Sequence, residues 1–288
     1  MSRGLDHIVH AVRDLDAAAA LYRALGFTVG ARNRHPWGTH NHLIQLPGFF
    51  IELLTVAEPE KLSGEGFAAL FGGFNKTFLD RHQGFSFLML ESRNAADDAR
   101  DFGIAGIAAS GALQFEREGT RPDGSKMKVG FSLAFVREGA APEIGFAVCR
   151  QHHPENFWNA ALQQHPNGAT AVAGAVIVAE NPSDHHIFLS AFTGERELNA
   201  SSSGITARTP RGELQIMDPA AFHSHFGVEP PDVAGGARLA ALRIAVRDRA
   251  ALIAALDAGK VAHFAHMGLE VVAPPAAMGA TLAFVPPT

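Results

Sequence analysis

The sequence predicts an α+β protein built from four βαβββ units, paired into two domains with curved mixed sheets. Three observations carry this. Strand-like alternation is followed by an amphipathic helix and then by further strands; that order recurs four times along the chain; and the 288 residues are about twice an ordinary domain length. A unit with one sheet face uncovered must bury it against another, so pairing of units encloses a cavity.

The first unit opens with Leu5 to Val12, alternating and rich in β-branched residues, up to the turn signal Asp14. Ala17 to Leu25 has helical spacing and stops at Gly26. Strands are expected over Phe27 to Arg32, His40 to Leu46 and Phe49 to Val56, separated by His35-Pro36-Trp37-Gly38 and Pro47-Gly48. A helical or irregular connection covers Pro59 to Arg81. The second unit has a strand at Phe85 to Leu90, a helix at Ala95 to Phe102 and strands at Leu113 to Glu118, Lys126 to Val136 and Ile144 to Cys149.

The third unit runs from Ala171 to Ala179 through a helix between Pro182 and Gly194 to strands at Leu198 to Ala200, Gly204 to Thr209 and Glu213 to Met217. The fourth begins at Leu239, has a helix from Arg249 to Ala258 and ends with strands at His263 to Val272 and Thr281 to Val285. His165-Pro166-Asn167-Gly168 is the expected boundary loop, dividing a domain over 1–165 from one over 166–288.

Lys plus Arg number 24 against 29 Asp plus Glu, with no basic run, which argues against a nucleic-acid partner. A single cysteine, Cys149, allows no internal disulfide, and no apolar run is long enough for a signal peptide or a membrane span; a cytoplasmic protein is expected. Apolar residues make up 47% of the chain against 18% charged, and there are 21 Phe, enough for an apolar interior and an apolar pocket for a small-molecule ligand. A homodimer is the candidate assembly.

Leu5-Asp6-His7-Ile8-Val9-His10-Ala11-Val12-Arg13-Asp14, the Ala-rich helix with Tyr22 and Leu25-Gly26-Phe27 resemble the opening of a module of the vicinal oxygen chelate superfamily. That superfamily comprises the glyoxalase, bleomycin-resistance and extradiol-dioxygenase proteins. Gly38-Thr39-His40-Asn41-His42-Leu43-Ile44 with Phe50-Ile51-Glu52-Leu53-Leu54 is similar to its glyoxalase-like branch. The resemblance implies a divalent metal, zinc, nickel, manganese or iron, held by His7 and Glu52. It also implies a lyase or isomerase acting on a small oxygenated or carbonyl-containing molecule through Lewis-acid chemistry.

Two further assignments come from strand periodicity. His152 or His153, continuing the strand that ends near Cys149, is a candidate third ligand; alternation from Ala147 through Cys149 and Gln151 favours His153. His40 and His42 share a strand face and are candidate catalytic residues. Asn156-Phe157-Trp158-Asn159 is positioned to close one end of the cavity.

The later units depart from the first. They carry Gly84, Ala173 and Ala241 at the position aligned with His7, and Ala147, Gln215 and Ala283 at that of Glu52. The second domain is therefore expected to be structural, and an extradiol dioxygenase is disfavoured. The competing reading is a metal-free binding or sequestering protein of the bleomycin-resistance type.

Overall fold

A computed structural model describes residues 1–120 and 126–287. The first unit comprises β1 (Leu5–Ala11), α1 (Leu15–Ala24), β2 (Asn33–Arg34), β3 (Thr39–Leu46) and β4 (Phe49–Val56). A π-helical stretch over Ala68–Gly73 leads into α2 (Phe74–Arg81). The second unit follows as β5 (Gly84–Glu91), α3 (Ala95–Ile104), β6 (Leu113–Thr120), β7 (Lys126–Val136) and β8 (Gly145–Gln151), with the short α4 (Pro154–Phe157) after it.

The third unit is β9 (Ala169–Val178), α5 (His186–Thr193), β10 (Asn199–Ser201), β11 (Gly204–Arg208) and β12 (Glu213–Met217). After α6 (Pro219–Phe226), the fourth is β13 (Arg238–Val246), α7 (Arg249–Ala258), β14 (Phe264–His266), β15 (Leu269–Val272) and β16 (Thr281–Val285). The four-unit α+β architecture is the expected one. No helix among the described residues is long and apolar enough to cross a membrane.

Each half forms one eight-stranded mixed sheet. The orders are β2-β3-β4-β1-β5-β8-β7-β6 and β10-β11-β12-β9-β13-β16-β15-β14, the same path traced twice. Eight strands laid flat would hold their edges roughly 30 Å apart at the usual strand spacing. In the first sheet Arg117 on edge strand β6 instead donates to Asn33 on the opposite edge β2 at 3.1 Å, so the sheet is rolled around a cavity.

A β-bulge recurs at one place in all four units. Register skips Asp6 on β1, Ser86 on β5, Ala173 on β9 and Ala240 on β13. Each lies eight residues before the residue that starts the unit's helix, namely Asp14, Asn94, Asn181 and Asp248. A bulge lets two consecutive side chains face the same way. Leu5 and Ile8 pack on the outer face, while Asp6 and His7 both turn inward. Counting from these caps corrects the unit alignment: the equivalents of His7 are Phe87, Gly174 and Ala241, none of them metal-ligating.

Outer faces and helices of both halves share one core. Ile8, Leu53 and Phe146 of the first sheet belong to the same buried cluster as Ile177, Leu242 and Phe284 of the second. At the joint, buried His10 accepts from Tyr22 O–H at 2.8 Å through Nδ1 and donates from Nε2 to the Met278 carbonyl at 3.2 Å. The backbones meet beside it at Gly84 and Gly279, both at positive φ, and a Cβ on Gly279 would lie 2.2 Å from the Gln83 carbonyl oxygen. The boundary loop is tied to the first half: His165 accepts from Thr28 N–H and donates to the Gln45 carbonyl.

Two expectations change, and one helix is added. Phe27 to Arg32 is a loop, because its backbone groups bond elsewhere: Phe27 N–H to Tyr22, Thr28 N–H to the His165 ring and Gly30 N–H to Leu43. The strand expected over His263 to Val272 is the hairpin β14–β15, turning at Met267 (φ 45°) and Gly268 (φ 82°), the pair of positive φ values that a tight hairpin turn requires. Helix α6 lies between the third and fourth units, where no element was expected. It has the side-chain cap Asp218, Pro219 at its first position and Gly227 (φ 66°) beyond its end.

Candidate functional site

The cavity inside the first sheet encloses about 630 Å³, its open mouth included. Its floor is made by the central strands. From β1 comes His7, from β4 Phe50 and Glu52, from β5 Met89 and from β8 Cys149. The walls and rim are aromatic: Trp37 stacks on Phe67 at 5.0 Å and meets Phe115 edge-on at 4.9 Å. Phe157 of α4 packs on Phe50 and Phe131 and closes one end, as expected of the 156–159 segment.

The bulge gives the floor its central feature. Asp6 Oδ1 lies 2.5 Å from His7 Nδ1, and both residues are buried. This bond engages Nδ1 and leaves Nε2 as the nitrogen open to a ligand. His7 is held flat against Phe50, ring centroids 4.2 Å apart. Asp6 also accepts from Gln151 Nε2 at 3.2 Å and from the Cys149 thiol. Burial together with the Asp6 and Glu52 carboxylates pushes the Cys149 thiol well above its usual range, so it stays protonated unless a cation arrives.

Glu52 is buried and its pKa is raised by that burial, with His7 and the Asn41 amide pulling it back. A polar chain runs from the rim to it. Arg117 Nη2 donates to Asn33 Oδ1 at 3.1 Å, Asn33 Nδ2 to Asn41 Oδ1 at 3.0 Å, and Asn41 Nδ2 to Glu52 Oε1 at 2.6 Å. Because a guanidinium can only donate, it sets the orientation of both amides in turn. His35 stacks on Trp37 and donates to Thr39 Oγ1; burial and neighbouring Arg117 lower its pKa to about 3, which keeps it neutral.

The structure brings His7 and Glu52 into one cavity. It does not bring the other candidates there. Asn41 and Leu43 occupy the inner face of β3, so His40 and His42 point away: His40 Nε2 bonds Glu58 at 2.9 Å and His42 bonds the Gly30 carbonyl at 2.8 Å. Strand β8 ends at Gln151, so alternation does not carry His153 inward; it lies near Glu155, and His152 bonds Ser132 Oγ. The residues that face the floor from this strand are Cys149 and Gln151. Asp6, Asn41, Arg117 and Cys149 are site residues that the sequence alone did not single out.

A divalent ion fits the floor. Ligand atoms of Asp6, His7 and Cys149 lie within 4.8 Å of one another, and Gln151 Oε1 beside them is a buried oxygen with no hydrogen-bond partner. Imidazole, carboxylate and thiol together suit a borderline-soft cation such as zinc better than manganese. Two carboxylates buried here, Asp6 and Glu52, add negative charge that a cation would offset.

Among the described residues, the second half has no such cluster of three ligand atoms. Its residues at the Glu52 position, Gln215 on β12 and Ala283 on β16, pair with Val176 and Arg243 as Glu52 pairs with Val9. Phe222 and Phe226 of α6 fill its inner face against Ala240, Ala241 and Ala283.

Comparison with known proteins agrees with this architecture. Among solved structures, a hypothetical protein from Staphylococcus aureus superimposes with a TM-score of 0.70 at 15% identity, covering 99% of this chain and 100% of that one. A mutant of 4-hydroxymandelate synthase from Streptomyces coelicolor gives 0.56 at 14% identity, over 93% and 78%. A xylose isomerase-like TIM barrel/4-hydroxyphenylpyruvate dioxygenase fusion protein gives 0.52 at 12% identity, over 91% of this chain and 39% of that one. Such identities show the fold alone, which is the two-domain vicinal oxygen chelate fold. No curated protein matches the sequence. The model of the glyoxalase-like domain matches residues 5–193, and the chain belongs to that family.

Proposed function

We propose that the chain is a metal-dependent enzyme of glyoxalase-like, lyase or isomerase type, acting on a small oxygenated or carbonyl-containing molecule in the first-half cavity. The observation that carries this is the Asp6–His7 pair on the cavity floor, sharing that cavity with the buried carboxylate of Glu52. A histidine whose Nδ1 is engaged by a carboxylate is oriented to present Nε2.

His7 and Cys149, with a carboxylate from Asp6 or Glu52, would hold a divalent ion. When bound, the ion would polarise substrate oxygens and stabilise charge that develops on them. The chain's own residues do the rest. Asn41 occupies Glu52 Oε1 and leaves Oε2 as the oxygen open to the ion or to a proton. The aromatic walls exclude water and so strengthen each electrostatic contact inside.

A second reading, a metal-free binding protein, is favoured by those same walls, since Trp37, Phe67, Phe71 and Phe115 form a binding surface whether or not chemistry follows. One experiment separates the two. Elemental analysis of the purified, metal-reconstituted protein is expected to find one zinc-like ion per chain, lost in His7→Ala and in Glu52→Gln while both variants remain folded by circular dichroism. Absence of metal from the reconstituted wild type would sink the enzyme reading.

A further inference from the structure

The rim of the cavity holds a half-buried guanidinium and a buried indole N–H whose donors the protein leaves largely unused. Arg117 offers five N–H groups, yet among the described residues its hydrogen bond is the one to Asn33, and it forms no ion pair with a carboxylate. Trp37 Nε1 is buried with no hydrogen-bond partner. Both residues line the same cavity, and Phe115, two residues from Arg117 on β6, touches the Trp37 ring.

A half-buried guanidinium that lacks a counter-charge is costly to a fold, and its burial lowers its pKa. No cation competes for a ligand beside it, because neighbouring His35 is neutral. The remainder of the wall is Phe67, Phe71 and Phe115, suited to a flat or linear apolar body.

We infer that Arg117 and Trp37 form a carboxylate-recognition subsite at the rim, and that the ligand is an amphipathic monoanion. Its carboxylate sits at Arg117, its apolar body lies along the aromatic wall, and its reactive end reaches the Asp6–His7 floor. This deepens the proposed function by naming the substrate class and rests on that reading only for the reactive end. Arg117 supplies charge-assisted hydrogen bonds of fixed direction, and Trp37 Nε1 supplies a third donor that rewards an oxygen and not a methyl group. One guanidinium matches one negative charge.

The test uses the full chain and three aryl carboxylates of increasing reach, benzoate, phenylacetate and 3-phenylpropionate, each against its neutral amide, by titration calorimetry. At least one carboxylate is expected to bind about tenfold or more tightly than its amide. Arg117→Met is expected to abolish that preference while leaving amide affinity within about twofold, and Arg117→Lys to keep part of it. Arg117 lies on an edge strand, so both variants are expected to fold; circular dichroism checks this.

Equal affinity for acids and amides, a preference that survives Arg117→Met, or no binding of any acid up to about 10 mM would each overturn the inference. His7→Ala and Glu52→Gln are expected to lose metal and keep the carboxylate preference. A wild-type chain that takes up no metal on reconstitution yet still discriminates acid from amide would refute the enzyme reading alone.

Discussion

The two halves follow one strand order and share a pair of equivalent bulges, yet one holds a cavity and the other a plug. The helix that follows the first unit of each half decides this. In the first half, α2 and the turn before it set Phe71 and Phe74 against Phe87 at the side of the cavity. In the second half, α6 drives Phe222 and Phe226 into the inner face, both fully buried. The strands have adapted to each filling. Where the first sheet offers His7 and Glu52, the second offers Gly174 and Gln215, and Ala240, Ala241 and Ala283 make room for the two rings. The scaffold thus permits a site at either place, and local filling determines where one exists.

The largest expected effect comes from emptying the plug. Phe226→Ala should cost about 3–5 kcal/mol by urea unfolding, because a rigid inner face cannot collapse around the void. Phe71→Ala, at the side of an existing cavity, should cost at least about 1 kcal/mol less. Equal costs would mean that the first half is packed as tightly as the second.

Exchanging the bulge residues sharpens the same contrast. Ala240→Asp with Ala241→His would bury a carboxylate and an imidazole beneath the α6 rings and should cost about 3 kcal/mol or more. Asp6→Ala with His7→Ala should change stability by less than about 1 kcal/mol in either direction, since the removed groups serve the cavity. Paired denaturation curves measure both. A first-half double variant that unfolds would show the Asp6–His7 pair to be structural.

A smaller effect belongs to the joint. Burial lowers the His10 pKa from 6.5 to about 4, so between those values the folded chain binds fewer protons than the unfolded one. Stability contributed by neutral His10 is full above pH 6.5 and is lost as pH falls to about 4, up to about 3 kcal/mol in all. Unfolding curves at pH 7 and pH 4.5 should differ more for the wild type than for His10→Gln. An identical pH dependence would remove His10 from the acid response.

Much of the scaffold was legible. Helix starts at Asp14, Asn94 and Asp248 are side-chain caps that the sequence announces, and alternation placed His7 and Glu52 on strands that now share a cavity. Helix α6 carried its own start and stop signals, with Phe222 and Phe226 at helical spacing, but its eight residues span only about two turns, too short a run for periodicity to stand out. The rim was beyond reach because Arg117 and Asn33 are 84 residues apart and meet only when the sheet rolls. His40 and His42 were assigned to the wrong face because strict period two says which residues go together and not which face is inward.

The bulge at Asp6 has a consequence for how such a site can arise or vanish. With Asp6 deleted, Leu5 would still pair with Leu90 and His7 with Met89, now as a regular ladder, and every other side chain would keep its face. The residue that orients His7 is therefore surplus to the sheet: a one-codon deletion would remove it and leave the architecture whole. In such a fold chemistry can be gained or lost in single steps that stability does not register.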